Sequence, residues 1–153
     1  LLNVITTEEM AHEVSDEFSN CDCLVMAAAP ADFVPAEQSN QKIKKEAVDG
    51  GTTLTLKPSV DILGSLAGQK RPGQIVVGFA LETENGHANA EKKLSAKQLD
   101  IIVLNSPSST TGFMSDTNQV TVITRDGKAE DWPLDDKSRI ATRLLDKISG
   151  MIS

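Results

Sequence analysis

Positive charge is scarce in this chain, and where it gathers it is placed to hold an anion. Lys42-Ile43-Lys44-Lys45 sets three cations within four residues, ahead of the turn-forming Asp49-Gly50-Gly51. Such a cluster is either a solvated charge run or a clamp that closes over a polyphosphate, neutralising charge and excluding water once substrate is present. Lys93 and Lys97 stand four apart, so on a helix both ammonium groups reach one anionic ligand or both face solvent. The run Ala27-Ala28-Ala29-Pro30-Ala31-Asp32 puts small side chains where a strand leaves a sheet. That arrangement opens backbone groups to a flat ligand and follows them with a carboxylate suited to a hydroxyl or a metal-bound phosphate. The alternative is tight helix packing, with Asp32 as an ordinary cap or turn residue.

Other chemistries lack their residues. The sequence holds no G-x-x-x-x-G-K-[ST] loop and no G-x-G-x-x-G after a strand. The two histidines, His12 and His87, have no sensible nucleophile or carboxylate partners and read as helix-surface residues. Cys21 and Cys23 are too close along an extended chain for ordinary disulfide geometry and too few for a structural zinc, so a buried, reduced pair in a cytoplasmic protein is expected.

The elements that must position these residues alternate. Residues 1–5 are strand-like, and Thr6-Thr7-Glu8-Glu9 is a capping box opening a helix with Met10, Ala11, Val14 and Phe18 on one face. A buried strand follows from Cys23 to Ala29, then a polar, Pro-punctuated stretch over 31–51 that reads as a mobile loop. Strands are expected at 53–56, 74–80 and 100–105, with helices at 61–68 and 86–98, the latter turning Ala90 and Leu94 inward. Arg125-Asp126-Gly127 marks a hairpin between strands at 119–124 and 129–134, and a final helix carries Ile140, Leu144, Leu145, Ile148 and Ile152. The expected fold is α/β: a three-layer α/β/α Rossmann-like, mostly parallel sheet with a C-terminal antiparallel hairpin. In such sheets ligands collect at the carboxyl ends of the strands, here Ala28 to Asp32, Phe79 to Thr83 and Asn105 to Ser106.

Composition agrees. The chain has 153 residues, with 15 Lys plus Arg against 22 Asp plus Glu and a formal net charge of −7. One domain of ordinary size, about 100 to 150 residues, is expected. The acidic balance disfavours sequence-independent binding of nucleic acid, and no apolar run approaches the roughly 20 residues of a membrane span. The opening Leu1-Leu2-Asn3-Val4-Ile5 reads as starting inside a fold.

Taken in order, Ala28-Ala29-Pro30-Ala31-Asp32-Phe33, Lys42-Ile43-Lys44-Lys45, Val60-Asp61-Ile62-Leu63, Val77-Gly78-Phe79-Ala80-Leu81-Glu82-Thr83, Lys93 with Lys97, Val103-Leu104-Asn105 and Gly112-Phe113 resemble phosphopantothenoylcysteine synthetase, the phosphopantothenate cysteine ligase commonly found as the C-terminal half of a bifunctional coenzyme A biosynthesis protein. The resemblance covers essentially the whole chain. Pro30 stands where an aliphatic residue is usual, and Val60 where a Pro often precedes Asp-Ile. The resemblance implies that the carboxylate of 4'-phosphopantothenate attacks the α-phosphate of CTP, and that cysteine then takes the acyl group from the acyl-cytidylate, with Mg2+ accompanying the nucleotide. It implies nucleotide contacts from Ala27, Ala28, Ala29, Asp32, Lys42, Val60, Asp61, Ile62, Leu63, Phe79, Lys93 and Lys97, substrate binding by Asn105 and a metal-facing carboxylate in Asp32. Lys42 becomes the catalytic residue, stabilising charge on the α-phosphate. It further implies a homodimer, for which the hairpin over 119–134 is the expected contact, a fused or associated decarboxylase, and a Gly-rich segment with an Asn motif ahead of Leu1. Two other readings compete: a non-catalytic, partner-binding or regulatory relative of the same fold, and a generic NAD- or ATP-binding Rossmann-like domain.

Overall fold

The computed structural model describes residues 1–39, 41–44, 51–82, 85–105 and 115–152. Its central sheet has five strands: β1 (Cys23–Met26), β4 (Ile75–Leu81), β5 (Ile101–Asn105), β6 (Thr117–Thr124) and β7 (Ala129–Asp136), in the order β1-β4-β5-β6-β7. β1, β4 and β5 run parallel, with Val25 opposite Val77 and Val77 opposite Ile101; β6 and β7 then join antiparallel. Buried β-branched runs explain the centre: Ile75 to Val77 and Ile101 to Val103 are each no more than 6% exposed, as strands covered on both faces must be.

Two apolar clusters divide the molecule into layers. On one face α1 (Thr7–Phe18), α2 (Ile62–Leu66) and α3 (Gly86–Ala96) pack through Phe18, Ile62, Leu66, Ala90 and Leu94 against Met26, Val76, Ile102 and Leu104. On the other, α4 (Lys137–Ser149) lays Leu144 and Ile148 over Val77, Ile101, Val103, Val122 and Trp132. The three-layer α/β/α reading and the hairpin therefore stand. In the turn, Gly127 takes φ +81° while Asp126 accepts from Thr124 Oγ1 at 2.6 Å. Pro133 is tolerated because β7 lies at the sheet edge, where a missing N–H costs no ladder bond.

Other expectations need correction. Residues 1–5 form no strand; Leu1 and Ile5 are fully exposed, and only the capping box that follows is present, Glu9 N bonding Thr6 Oγ1 at 3.1 Å. β1 stops at Met26, so Ala27, Ala28 and Ala29 lie beyond the strand and are exposed. The stretch read as a loop contains β2 (Phe33–Pro35), which pairs antiparallel with β3 (Leu56–Pro58) in a separate two-stranded arm. Three residues are too few to show periodicity, and the pairing is fixed from outside: Ser59 N donates to Asp32 O at 2.9 Å and Ala36 N to Thr55 O at 2.9 Å. The strand expected at 53–56 accordingly shifts to Leu56–Pro58. On α4, Leu145 is 60% exposed and leaves the apolar stripe. Cys21 and Cys23 are free but only partly buried.

Candidate functional site

The parallel strands carry their following loops to one pole of the sheet. Met26 is level with Gly78, and Leu81 with Asn105, so Ala27 to Ala29, Glu82 and Asn105 emerge side by side. The arm ties together the two segments that carry Asp32 and Asp61: Ser59 donates to the Asp32 carbonyl through its amide and to the Ala31 carbonyl through its hydroxyl, which fixes the chain entering Val60-Asp61. Asp61 caps α2, accepting from Gly64 N at 3.1 Å, and also accepts from Lys97 Nζ at 2.8 Å. Partial burial raises its pKa, but the Lys97 and Gly64 hydrogen bonds outweigh that and hold the carboxyl below its usual value. A Cβ on residue 64 would sit 2.7 Å from Asp61 Oδ2, so glycine there is what lets the carboxylate cap the helix.

Lys93 is held by a second carboxylate. Glu82 Oε1 accepts from Lys93 Nζ at 2.6 Å, and Oε2 from Asn89 Nδ2 at 3.1 Å. These two bonds, the lysine's first, depress the Glu82 pKa. Lys93 lies in the last turn of α3 and Lys97 is its C-cap, so the helix expected over 86–98 ends at Ala96; each lysine has its own carboxylate partner and neither is a bare cation. Glu82 lay within the strand end and motif read from the sequence but was given no role, and Asn89 was not read at all; the signal was a carboxylate at the end of a buried strand, ahead of a helix carrying an amide and a lysine.

The remaining predicted residues divide. Ile62 is 4% exposed and Leu63 packs on the core, leaving mainly their backbone for a ligand, whereas Val60 is 43% exposed. Phe79 is 42% exposed and alternates onto the face of Ile75 and Val77, the opposite side of the sheet from the lysine pairs. Asn105 presents a buried Oδ1 with no hydrogen-bond partner among the described residues, an acceptor still to be satisfied. Asp32 and Lys42 are exposed, and among the described residues no ion pair joins Lys42 to the rest. Lys45, Thr83, Ser106, Gly112 and Phe113 lie outside the described residues. Among the described residues no three His, Cys, Asp or Glu side chains gather as metal ligands.

This strand-end cluster, on this topology, invites comparison with known proteins. Residues 1–151 match the DNA/pantothenate metabolism flavoprotein C-terminal domain. The chain belongs to that family. It is 40% identical over 149 residues to the coenzyme A biosynthesis bifunctional protein CoaBC of Bacillus subtilis, covering 97% of this chain and 36% of that protein. It is 36% identical over 153 residues to a cysteine/cysteine sulfinic acid decarboxylase of an unknown prokaryotic organism, covering 99% of this chain and 42% of that protein. The chain therefore spans about two-fifths of the curated relatives it matches. Among solved structures, the C-terminal domain of a CoaBC protein superposes with a TM-score of 0.78 at 29% identity, covering 98% of this chain and 64% of that one. A Cab2 H337A mutant in complex with phosphopantothenate-cysteine shares the fold, with a TM-score of 0.63 at 20% identity over 85% of this chain and 45% of that one. The family resemblance read from the motifs and the α/β architecture are both borne out.

Proposed function

We propose that this domain carries the nucleotide-binding part of a phosphopantothenate cysteine ligase, joining 4'-phosphopantothenate to L-cysteine at the expense of CTP in coenzyme A biosynthesis. The observation that carries the reading is that Ala27 to Ala29, the Glu82–Lys93 pair and Asn105, whose buried Oδ1 has no partner among the described residues, share the carboxyl ends of β1, β4 and β5, with the Asp61–Lys97 pair joining α2 to the end of α3 on the same face of the sheet. Membership of a family that includes the CoaBC proteins supports it.

In the first half-reaction a carboxylate oxygen of phosphopantothenate bonds to the α-phosphorus of CTP as the bond to the bridging oxygen of the β-phosphate breaks, and pyrophosphate leaves. In the second, the cysteine amine attacks the acyl carbon of the acyl-cytidylate; the amide forms, CMP leaves and the amine gives up a proton. Both steps build negative charge on the α-phosphate, and this chain's contribution is to place cations there. Lys42 takes that role, Lys93 and Lys97 hold the outer phosphates, the exposed backbone of Ala27 to Ala29 seats the nucleotide and Asn105 accepts from substrate. Magnesium, when bound with CTP, neutralises phosphate charge, and Asp32 is the carboxylate offered to it. The same reading places the protein in the cytoplasm as a homodimer, with a phosphopantothenoylcysteine decarboxylase fused to it or associated.

Replacing Lys42 with Gln in the full-length protein tests the assignment. Product formation from CTP, phosphopantothenate and cysteine should fall at least about a hundredfold, the size of one lost transition-state donor, with the melting temperature unchanged. Turnover equal to wild type would remove Lys42 from the mechanism.

A further inference from the structure

Glu82 has no assigned role in the reaction above, yet both of its carboxylate oxygens are engaged. Its amide donates to the carbonyl of Asn105 at 3.2 Å, which ties its backbone to β5. Its side chain is 16% exposed, and its carboxylate is held by Asn89 on one oxygen and by Lys93 on the other. The start of α3 closes down on it: a Cβ on residue 86 would lie 3.3 Å from both Glu82 Cβ and Leu104 Cδ2, so glycine there permits the approach. Lys93 is the mobile partner, 46% exposed on a four-carbon stem. One of its three N–H donors is engaged by Glu82 in this pair, leaving others for an anion.

We infer that Glu82 is a positioning residue, which holds the Lys93 ammonium at the carboxyl end of β4 so that it meets the nucleotide's phosphates already ordered. The inference rests on the ligase reading and deepens it. A lysine ordered before binding loses less rotamer freedom when the phosphate arrives, and a rigid carboxylate supplies the ordering. The opposing effect is repulsion between Glu82 and the phosphate, and the pair limits it: the ammonium 2.6 Å from Glu82 Oε1 offsets the carboxylate's charge, and the Glu82 side chain is 16% exposed.

The experiment compares full-length wild type with Glu82→Ala, Glu82→Gln, Lys93→Ala and the Glu82→Ala/Lys93→Ala double variant, reading magnesium-CTP affinity by calorimetry, kcat and KM by ligase assay, and melting temperature. Glu82→Ala should weaken CTP binding and raise its KM about five- to tenfold, with kcat changed less. Glu82→Gln, which keeps an acceptor oxygen, should restore most of that loss, and the double variant should be no worse than Lys93→Ala. Wild type that binds no CTP would defeat the nucleotide reading and this inference with it. Wild-type binding that Glu82→Ala leaves unchanged or tightens, or losses that add in the double variant, would overturn this inference alone; tightening would mean that Glu82 competes with the phosphate for Lys93.

Discussion

Lys93 and Lys97 are each matched to a carboxylate whose protonation decides whether the pair exists. Glu82 has its carboxyl pKa lowered from 4.5 by the Lys93 and Asn89 hydrogen bonds, so the folded state prefers it ionised more strongly than the unfolded chain does. Its contribution to stability is therefore fully present above the unfolded value and is lost as pH falls through the lower folded value. Carbon-detected NMR titration of the Glu82 carboxyl should show a midpoint below 4.5, and Lys93→Ala should move that midpoint up; a midpoint at or above 4.5 in the wild type would break the pairing. Asp61 behaves in the same sense, since Lys97 and Gly64 outweigh its burial. These pairings were half legible in the sequence. The spacing of Lys93 and Lys97 put both on one expected helix, of which the structure keeps Lys93 inside α3 and Lys97 as its C-cap; the carboxylates come from 11 and 36 residues away, and only the fold brings them close.

Among the elements, α2 is the clearest case of local chemistry placing a functional group. Its five residues hold a helix only with help from the Asp61 cap, and that cap depends on Gly64. Gly64→Ala should push the Asp61 carboxylate aside, costing about 1 kcal/mol as the cap is lost and weakening the bond to Lys97. Urea denaturation would measure the first effect; an unchanged midpoint would contradict it. Gly78 works by packing instead. A Cβ there would stand 2.8 Å from Leu99 Cδ1 and 3.3 Å from Leu63 Cδ1, and Leu99 is 1% exposed with little room to move. Gly78→Ala should therefore destabilise by about 1–3 kcal/mol, an overpacking cost, in the same urea measurement. Elements with long periodic or buried runs, such as β4, β5, α3 and α4, were readable because their own residues determine them. β2 was not, because its three residues are a strand only by virtue of β3 and the Ser59 tie.

At the scale of the whole molecule the two poles of the sheet do different work. At the amino ends of β4 and β5, Lys70 and Asp100 form an ion pair with side chains 10% and 12% exposed, and Asp100 also accepts from Val76 N at 2.8 Å. Lys70→Met would leave a buried carboxylate short of its main partner and should cost about 3 kcal/mol in urea denaturation; a loss under about 1 kcal/mol would show that Arg125, at 3.8 Å, suffices. Stability is invested there, while the carboxyl ends hold the exposed Ala27 to Ala29, the Glu82–Lys93 pair and an Asn105 Oδ1 with no partner among the described residues. The layered fold and its loaded pole followed from alternating strand and helix patterns, whereas the separation of Phe79 from the lysines by the sheet needed the structure. The central claim is that nucleotide binds at this pole, and amide chemical-shift mapping of the protein on addition of magnesium-CTP tests it most directly. The account predicts perturbations concentrated at Ala27 to Ala29, Asp61 to Leu63, Glu82, Lys93, Lys97 and Asn105. Perturbations confined to the amino-end pole around Asp100, Arg125 and Lys147, or none at all, would contradict it.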